Sequence, residues 1–198
     1  MTEYESNLAF DFSESYVVSK FDDEAFYRDL FNAMPESKAV DFLAANEERY
    51  VFLEVKNCAG DEANNRWRIE PENRKRDTVP SASNVGRRDS LDIEVAQKVA
   101  MTISALFGAY TCPRPRARAE ECARIAGALF DGCVHSGRRR LIVILLLDGE
   151  FGCYTRSDKM IRMRIQNSIA RKLKWLNCTV LVTESKDFPA DALHIRVS

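Results

Sequence analysis

Asp41, Glu54 and Lys56 are two acids and a lysine set inside otherwise apolar stretches, "AVDFLAANEERYVFLEVKN", residues 39–57. Strand-forming sequence avoids charge, so their presence there needs a reason. Asn46–Arg49 reads as a four-residue loop, or Glu47–Glu48 as a two-residue one. Either loop sets Ala45 opposite Tyr50, and therefore Asp41 opposite Glu54. Alternation puts Lys56 on the same face, one step along. The other face carries Val40, Phe42 and Ala44 against Val51, Leu53 and Val55, and is expected to be core. Directly opposed carboxylates lie about 5 Å apart at Cβ and repel each other. Something positive must compensate. A hard divalent cation such as Mg²⁺ takes one or two carboxylates together with waters and phosphate oxygens. The alternative is a surface triad in which Lys56 bridges both acids.

"VDF", a short gap and "VFLEVKN" resemble the PD-(D/E)XK nuclease superfamily, also called restriction-endonuclease-like, in which an acid on one strand precedes a (D/E)xK tripeptide on the next. Asp41 matches the first acid, Glu54 the second and Lys56 the lysine; Val40 stands where a proline is frequent. The resemblance is specific over residues 39–57 and extends in element order from about 22 to 184. It implies an α/β restriction-endonuclease-like core, with a mixed central sheet flanked by helices. It also implies Mg²⁺-dependent hydrolysis of phosphodiester bonds, with Mn²⁺ as a substitute. Asp41, Glu54 and the carbonyl of Val55 would bind the metal, and Lys56 would orient or activate the attacking water. An acid from the first helix often joins such sites. Glu24 is the candidate, with Asp23 and Asp29 behind it. Gln97 matches a glutamine used on the helix after the tripeptide, although Met101 replaces the tyrosine expected four residues later. Asn57 follows the lysine as it often does in such motifs, and a strand-end turn accounts for it equally.

A nucleic-acid partner, DNA ahead of RNA, needs a basic approach. Arg66, Arg68, Arg74, Lys75, Arg76, Arg87 and Arg88 are the candidates for phosphate contact, with Arg114, Arg116, Arg118 and Arg138–Arg140 as further clusters. Trp67 among these arginines could stack on a base or anchor the loop. The resemblance is compatible with a homodimer. The competing function is a non-catalytic member of the same fold that binds nucleic acid or a protein.

The 198-residue chain is long enough for one domain with a sizeable core, and one domain over 1–198 is expected. Apolar residues form 45% and charged residues 30%, a globular composition. The longest apolar run, Leu141–Leu147, is too short to span a bilayer, and the acidic N-terminus has no apolar signal region, so a cytoplasmic protein without membrane partners is expected. Net charge is −1, but residues 1–60 hold 13 acids and 5 bases while 61–198 hold 17 and 24, which leaves a basic surface for a polyanion. The six cysteines show no CxxC spacing, so they read as small, partly buried thiols rather than metal ligands. Neither His135 nor His194 has a partner at metal spacing, and no phosphate-cradling glycine motif occurs.

The elements that must position the triad follow from periodicity. "NLAFDF" and "SYVVSKF" read as strands. "DDEAFYRDLFNAM" reads as one helix with Phe26, Leu30, Phe31 and Met34 on its apolar face. Residues 58–90 read as a polar loop insertion, with room for a short extra element. Ser90 is expected to cap a helix over 91–110, buried through Ile93, Ala96, Ala100, Ile103 and Phe107. A further helix near 119–133, a buried strand near 138–150, and a basic helix over 157–177 with Ile161, Ile165, Ile169, Leu173 and Leu176 inward are expected next. A strand at "CTVLVTE" and an edge strand at "LHIRVS" complete the order, and strands after long helices imply crossovers.

Overall fold

A computed structural model of the chain describes residues 1–111, 120–149, 151 and 156–198. Cys112, Cys153 and Arg114, Arg116 and Arg118 fall outside them. The elements are β1 (Thr2–Glu5), β2 (Leu8–Phe12), β3 (Val17–Lys20), α1 (Ala25–Asp29), β4 (Phe42–Ala45), β5 (Arg49–Asn57), α2 (Glu62–Ile69) and α3 (Leu91–Thr111). They continue with α4 (Glu120–Phe130), β6 (Arg140–Asp148), α5 (Asp158–Lys172), β7 (Cys178–Thr183), α6 (Ala190–Leu193) and β8 (Ile195–Val197).

The fold is mixed α/β with two sheets. The larger runs β3-β4-β5-β6-β7, antiparallel from β3 to β5 and parallel from β5 to β7, so the strand with Glu54 and Lys56 is its middle strand. The parallel pairs are joined across the helices, as crossover connections require. β6 shows why its sequence is continuously apolar. Leu141, Val143, Leu145 and Leu147 enter the core beneath the helices, while Ile144 and Leu146 enter the core on the opposite face.

The long helices flank one face only, and the short α6 meets the other through Leu193. α3, α4 and α5 pack on one face through Val95, Val99, Leu106, Ile125, Ile161, Ile165 and Ile169. The other face is covered by the small sheet β1-β2-β8, whose Phe10, Phe12 and Ile195 pack on Phe42, Val51, Leu53 and Val55. The edge strand expected at "LHIRVS" therefore pairs with β2 rather than with the main sheet. β1 had no distinct sequence signal: it is short and polar, and its partner β2 supplies all its pairing.

Two elements differ from expectation, and the short extra element allowed for in the insertion is present. The helix over 22–34 is broken into α1 and two 3₁₀ turns, Phe21–Asp23 and Phe31–Ala33. Aromatic, Asp and Asn residues give weak helix propensity, and Tyr27 is anchored by Phe21 and Phe31 at 5.8 and 6.0 Å. Met34, expected inside, is exposed. α3 is rotated by about one residue: Val95, Val99, Thr102, Leu106 and Ala109 are buried, while Phe107 is 57% exposed. α2 forms inside the polar insertion, with the Asp61 side chain accepting from the Asn64 backbone N–H. No helix among the described residues is long and apolar enough to cross a membrane.

Candidate metal and phosphoryl-transfer site

The β4–β5 register is the expected one, Phe42 opposite Leu53 through to Ala45 opposite Tyr50. One step further out β4 has ended, and the Asp41 side chain takes over its role: Oδ2 accepts the Val55 backbone N–H at 2.7 Å. Within a strand N–H and C=O of one residue project the same way, so the Val55 carbonyl faces the same gap. Val40 leaves the strand alternation. Its N–H is bonded to the Thr102 hydroxyl at 3.1 Å and its side chain joins the core under the helices, not the opposite face. Val51, Leu53 and Val55 are buried against the small sheet as expected.

On the helix-facing side, β5 runs from apolar Tyr50 and Phe52 to Glu54 and Lys56. Glu54 is 1% exposed, and Asp41 is also buried. Lys56 Nζ is 2.5 Å from Glu54 Oε1 and 3.4 Å from Glu94 Oε1. Glu94 Oε2 accepts from Arg68 at 2.8 Å. Lys98, one turn beyond Glu94 on α3, reaches both acids: its ammonium is 2.7 and 2.8 Å from the two Glu54 oxygens and 3.4 Å from Asp41 Oδ1. The cluster thus balances Asp41, Glu54 and Glu94 against Lys56, Lys98 and Arg68. Buried charges persist only when paired in this way.

Burial sets the acid–base character. It raises the Glu54 carboxyl to about 7; Asp41 adds to the rise, while Lys56 and Lys98 oppose it. Burial works the same way on Glu94, but Lys56, Arg68 and Lys98 outweigh it and bring that carboxyl down to about 2. Lys56 is held protonated above its ordinary range, because Glu54, Glu94 and Asp41 outweigh the burial that disfavours its charge. Glu94 stays ionised at neutral pH, so it keeps Lys56 charged whether or not Glu54 carries a proton.

Glu54 should therefore make stability fall as pH rises. The folded state holds its proton to about 7, while the ordinary value is 4.5. Between those values the native state binds more protons, so ionisation favours unfolding. Relative to wild type, Glu54→Gln is expected to gain about 3 kcal/mol between pH 4.5 and 7.5, from the 1.36 kcal/mol that each unit represents. Urea unfolding of both proteins across that range checks it; parallel stability curves would contradict it.

Other expected site residues are placed differently. Glu24 accepts from the Ser19 hydroxyl at 2.6 Å and faces Cys122, and is not among the partners of Asp41 or Glu54. The acid beside Asp41 is Asp22, whose carboxyl is raised to about 6 by burial first and then by Asp41 and Asp23. Asp22 Oδ1 is buried and makes no hydrogen bond with any described residue. Asp23 pairs with Lys20 and Arg28, and Asp29 is exposed. Gln97 accepts from Lys38 at 2.8 Å and not from the acid cluster; its neighbour Lys98 is the residue that enters. Asn57 closes a strand-end turn by accepting the Ala59 N–H at 2.9 Å. Lys98 and Glu94 did carry a sequence signal, as charges at i and i+4 beside the apolar positions Leu91, Val95 and Val99.

The basic residues separate into two groups. Arg68 is buried against Glu94 and serves the cluster rather than an exposed phosphate surface. Arg66 pairs with Glu62. Trp67 is a loop anchor: its indole N–H donates to the Arg88 carbonyl at 3.0 Å, and Arg76 lies 4.4 Å above its ring. Lys75 pairs with Glu36 at 2.7 Å, and Arg74 is exposed. A cleft of about 380 Å³ is lined by Lys38, Lys75, Arg87 and Arg88 together with Glu94 and Lys98, so it opens onto the buried cluster. The basic face of α5 is largely paired, with Arg162 to Glu184 and Asp187, and Lys172 to Glu72 and Asp92.

Among the described residues no group of three or more His, Cys, Asp or Glu side chains is arranged to hold a metal ion. Asp41, Glu54 and the Val55 carbonyl offer hard oxygen donors, two of them carboxylates, which meets what Mg²⁺ asks of a protein. The orphaned Asp22 oxygen adds a buried acceptor beside them. Of the four described free cysteines, Cys58 lies within reach of the charges of Arg68 and Lys56, yet burial raises its thiol, and burial raises the Cys122 thiol to about 12.

Residues 24–197 match the model of a Family of unknown function (DUF6661). No curated protein and no solved structure matches the chain.

Proposed function

The chain belongs to the Family of unknown function (DUF6661), and we propose that it is a Mg²⁺-dependent nuclease with a restriction-endonuclease-like core, acting on DNA. The observation that carries this reading is the acid–acid–lysine set formed by Asp41, just before β4, with Glu54 and Lys56 of β5, linked through Glu94 and Lys98 to a cleft lined by more cations than acids. Its support from the fold is the central position of β5 in a sheet that changes from antiparallel to parallel at that strand. Asp41 and Glu54, with the Val55 carbonyl, would hold Mg²⁺ or Mn²⁺. The ion, when bound, polarises the scissile phosphate and lowers the pKa of its water. Lys56 supplies a fixed positive charge beside the attacking water and the phosphoryl oxygens. Lys38, Arg87 and Arg88 line the approach for the phosphodiester backbone.

The pairing of Asp41, Glu54 and Glu94 with Lys56, Lys98 and Arg68 favours a second reading, in which the cluster is a buried ion network and the protein binds nucleic acid or another protein without cutting. Cleavage of linear, circular and single-stranded DNA and of RNA with Mg²⁺ or Mn²⁺ separates the two. Wild type is expected to cut DNA and Asp41→Asn to lose at least about a hundredfold in rate, the scale of removing one preorganised charge. Binding without cleavage of any substrate would establish the second reading.

A further inference from the structure

We propose that Lys98 is a built-in competitor for the cation site: its ammonium holds Asp41 and Glu54 together and must leave before a divalent ion can enter. This rests on the reading of Asp41 and Glu54 as metal ligands. The ammonium lies 2.7 and 2.8 Å from the Glu54 oxygens and 3.4 Å from Asp41 Oδ1, a position between the two acids that a metal would take. The two cannot share it. A second positive charge at that distance would repel Lys98, and its ammonium donates to the oxygen lone pairs a metal needs. Lys56 plays a different part: it shares Glu54 Oε1 with Lys98, but its second ion pair is with Glu94, whereas Lys98 bridges Glu54 to Asp41.

The cleft gives Lys98 somewhere to go. Lys98 lines it with Ser37, Arg87, Arg88 and Asp89. On leaving the acids, the ammonium remains tethered by its side chain at the cleft floor. There it would meet an anionic phosphate held by the arginines. Metal entry and phosphate binding are then coupled: each favours the same displaced position of Lys98, and by linkage each strengthens the other. Without a phosphate-bearing ligand the lysine occupies the site most of the time and weakens the binding of stray cations.

The test is Mn²⁺ affinity of the full chain by calorimetric titration, alone and with inorganic phosphate. Lys98→Met removes the competitor while keeping the length of the side chain. If the lysine-free arrangement is populated about one part in ten in wild type, the variant should bind Mn²⁺ about tenfold more tightly. Phosphate should tighten Mn²⁺ binding to wild type but leave Lys98→Met nearly unaffected. The metal-free melting temperature of the variant should fall and recover on adding Mn²⁺, because the cation substitutes for the lost lysine. Lys98→Gln, which retains a donor for Glu54, serves the same measurement if the methionine variant does not fold. Equal Mn²⁺ affinities in wild type and variant overturn the competitor role while leaving the metal site standing. Failure of both proteins to bind Mn²⁺ at millimolar concentration overturns both readings.

Discussion

Glu94→Gln is expected to cost the fold about 3–5 kcal/mol at pH 7, the usual penalty for removing one partner from a buried ion network. Glu94 is nearly buried and serves two cations, Lys56 at 3.4 Å and Arg68 at 2.8 Å. The amide can accept from one of them but carries no charge. Arg68 is buried too, and its Nε already has no hydrogen-bond partner among the described residues. Lys56 would retain only Glu54, whose own carboxyl is raised to about 7. The pH dependence follows from the Glu94 carboxyl at about 2 against an ordinary 4.5. Its stabilisation is fully present above the ordinary value and is lost as pH falls from 4.5 towards 2. The gap between wild type and variant should therefore be wide at pH 7 and narrow at pH 3. Urea denaturation at both values measures it. A gap below about 1 kcal/mol at pH 7, the range of an exposed pair, would mean that the network is solvated.

The second large effect separates chemistry from binding. Lys56→Ala is expected to lower metal-dependent cleavage by roughly 10²–10³-fold, since a preorganised charge at the reacting centre is worth a few kcal/mol. Nucleic-acid affinity should change little, with the salt slope falling by about one phosphate's worth at most. Neutralising Arg87 and Arg88, which line the cleft, should do the reverse: weaker, less salt-sensitive binding with the metal site intact. These two are better probes than Lys75 or Arg76, whose pairing with Glu36 and stacking on Trp67 hold the loop together. Cleavage rates and binding isotherms across salt would show the crossed pattern. A Lys56→Ala protein that binds and cuts like wild type would remove Lys56 from the mechanism.

Glu54 and Glu94 point to opposite uses of one burial effect. Both carboxyls are disfavoured as anions by burial. Both have Lys56 and Lys98 near them; Glu94 has Arg68 in addition and stays charged, whereas Glu54 has Asp41 and is drawn towards neutrality. A divalent cation would reverse this for Glu54, because a bound ion is the largest local charge and inverts the local pKa balance.

The sequence by itself determined the register of β4 and β5, the shared face of Asp41, Glu54 and Lys56, and the apolar reverse face from Phe42 to Val55. Those features are local: a short loop sets the pairing, and strict alternation carries it outward. The continuous apolar run of β6 and the crossover order likewise marked the parallel half of the sheet. Val40 escaped the alternation because Thr102, distant in sequence, bonds its N–H. Only the tertiary structure decided which cation would relieve the two acids. Lys98 is 44 residues from Glu54, and Arg68 is 26 from Glu94. Their arrival depends on the azimuth of α3, where an error of one residue turns every side chain by about 100°. The same dependence exchanged Gln97 for Lys98, while the broken helix around α1 exchanged Glu24 for Asp22. A strand face can be counted off residue by residue; a helix face is chosen by what it packs against.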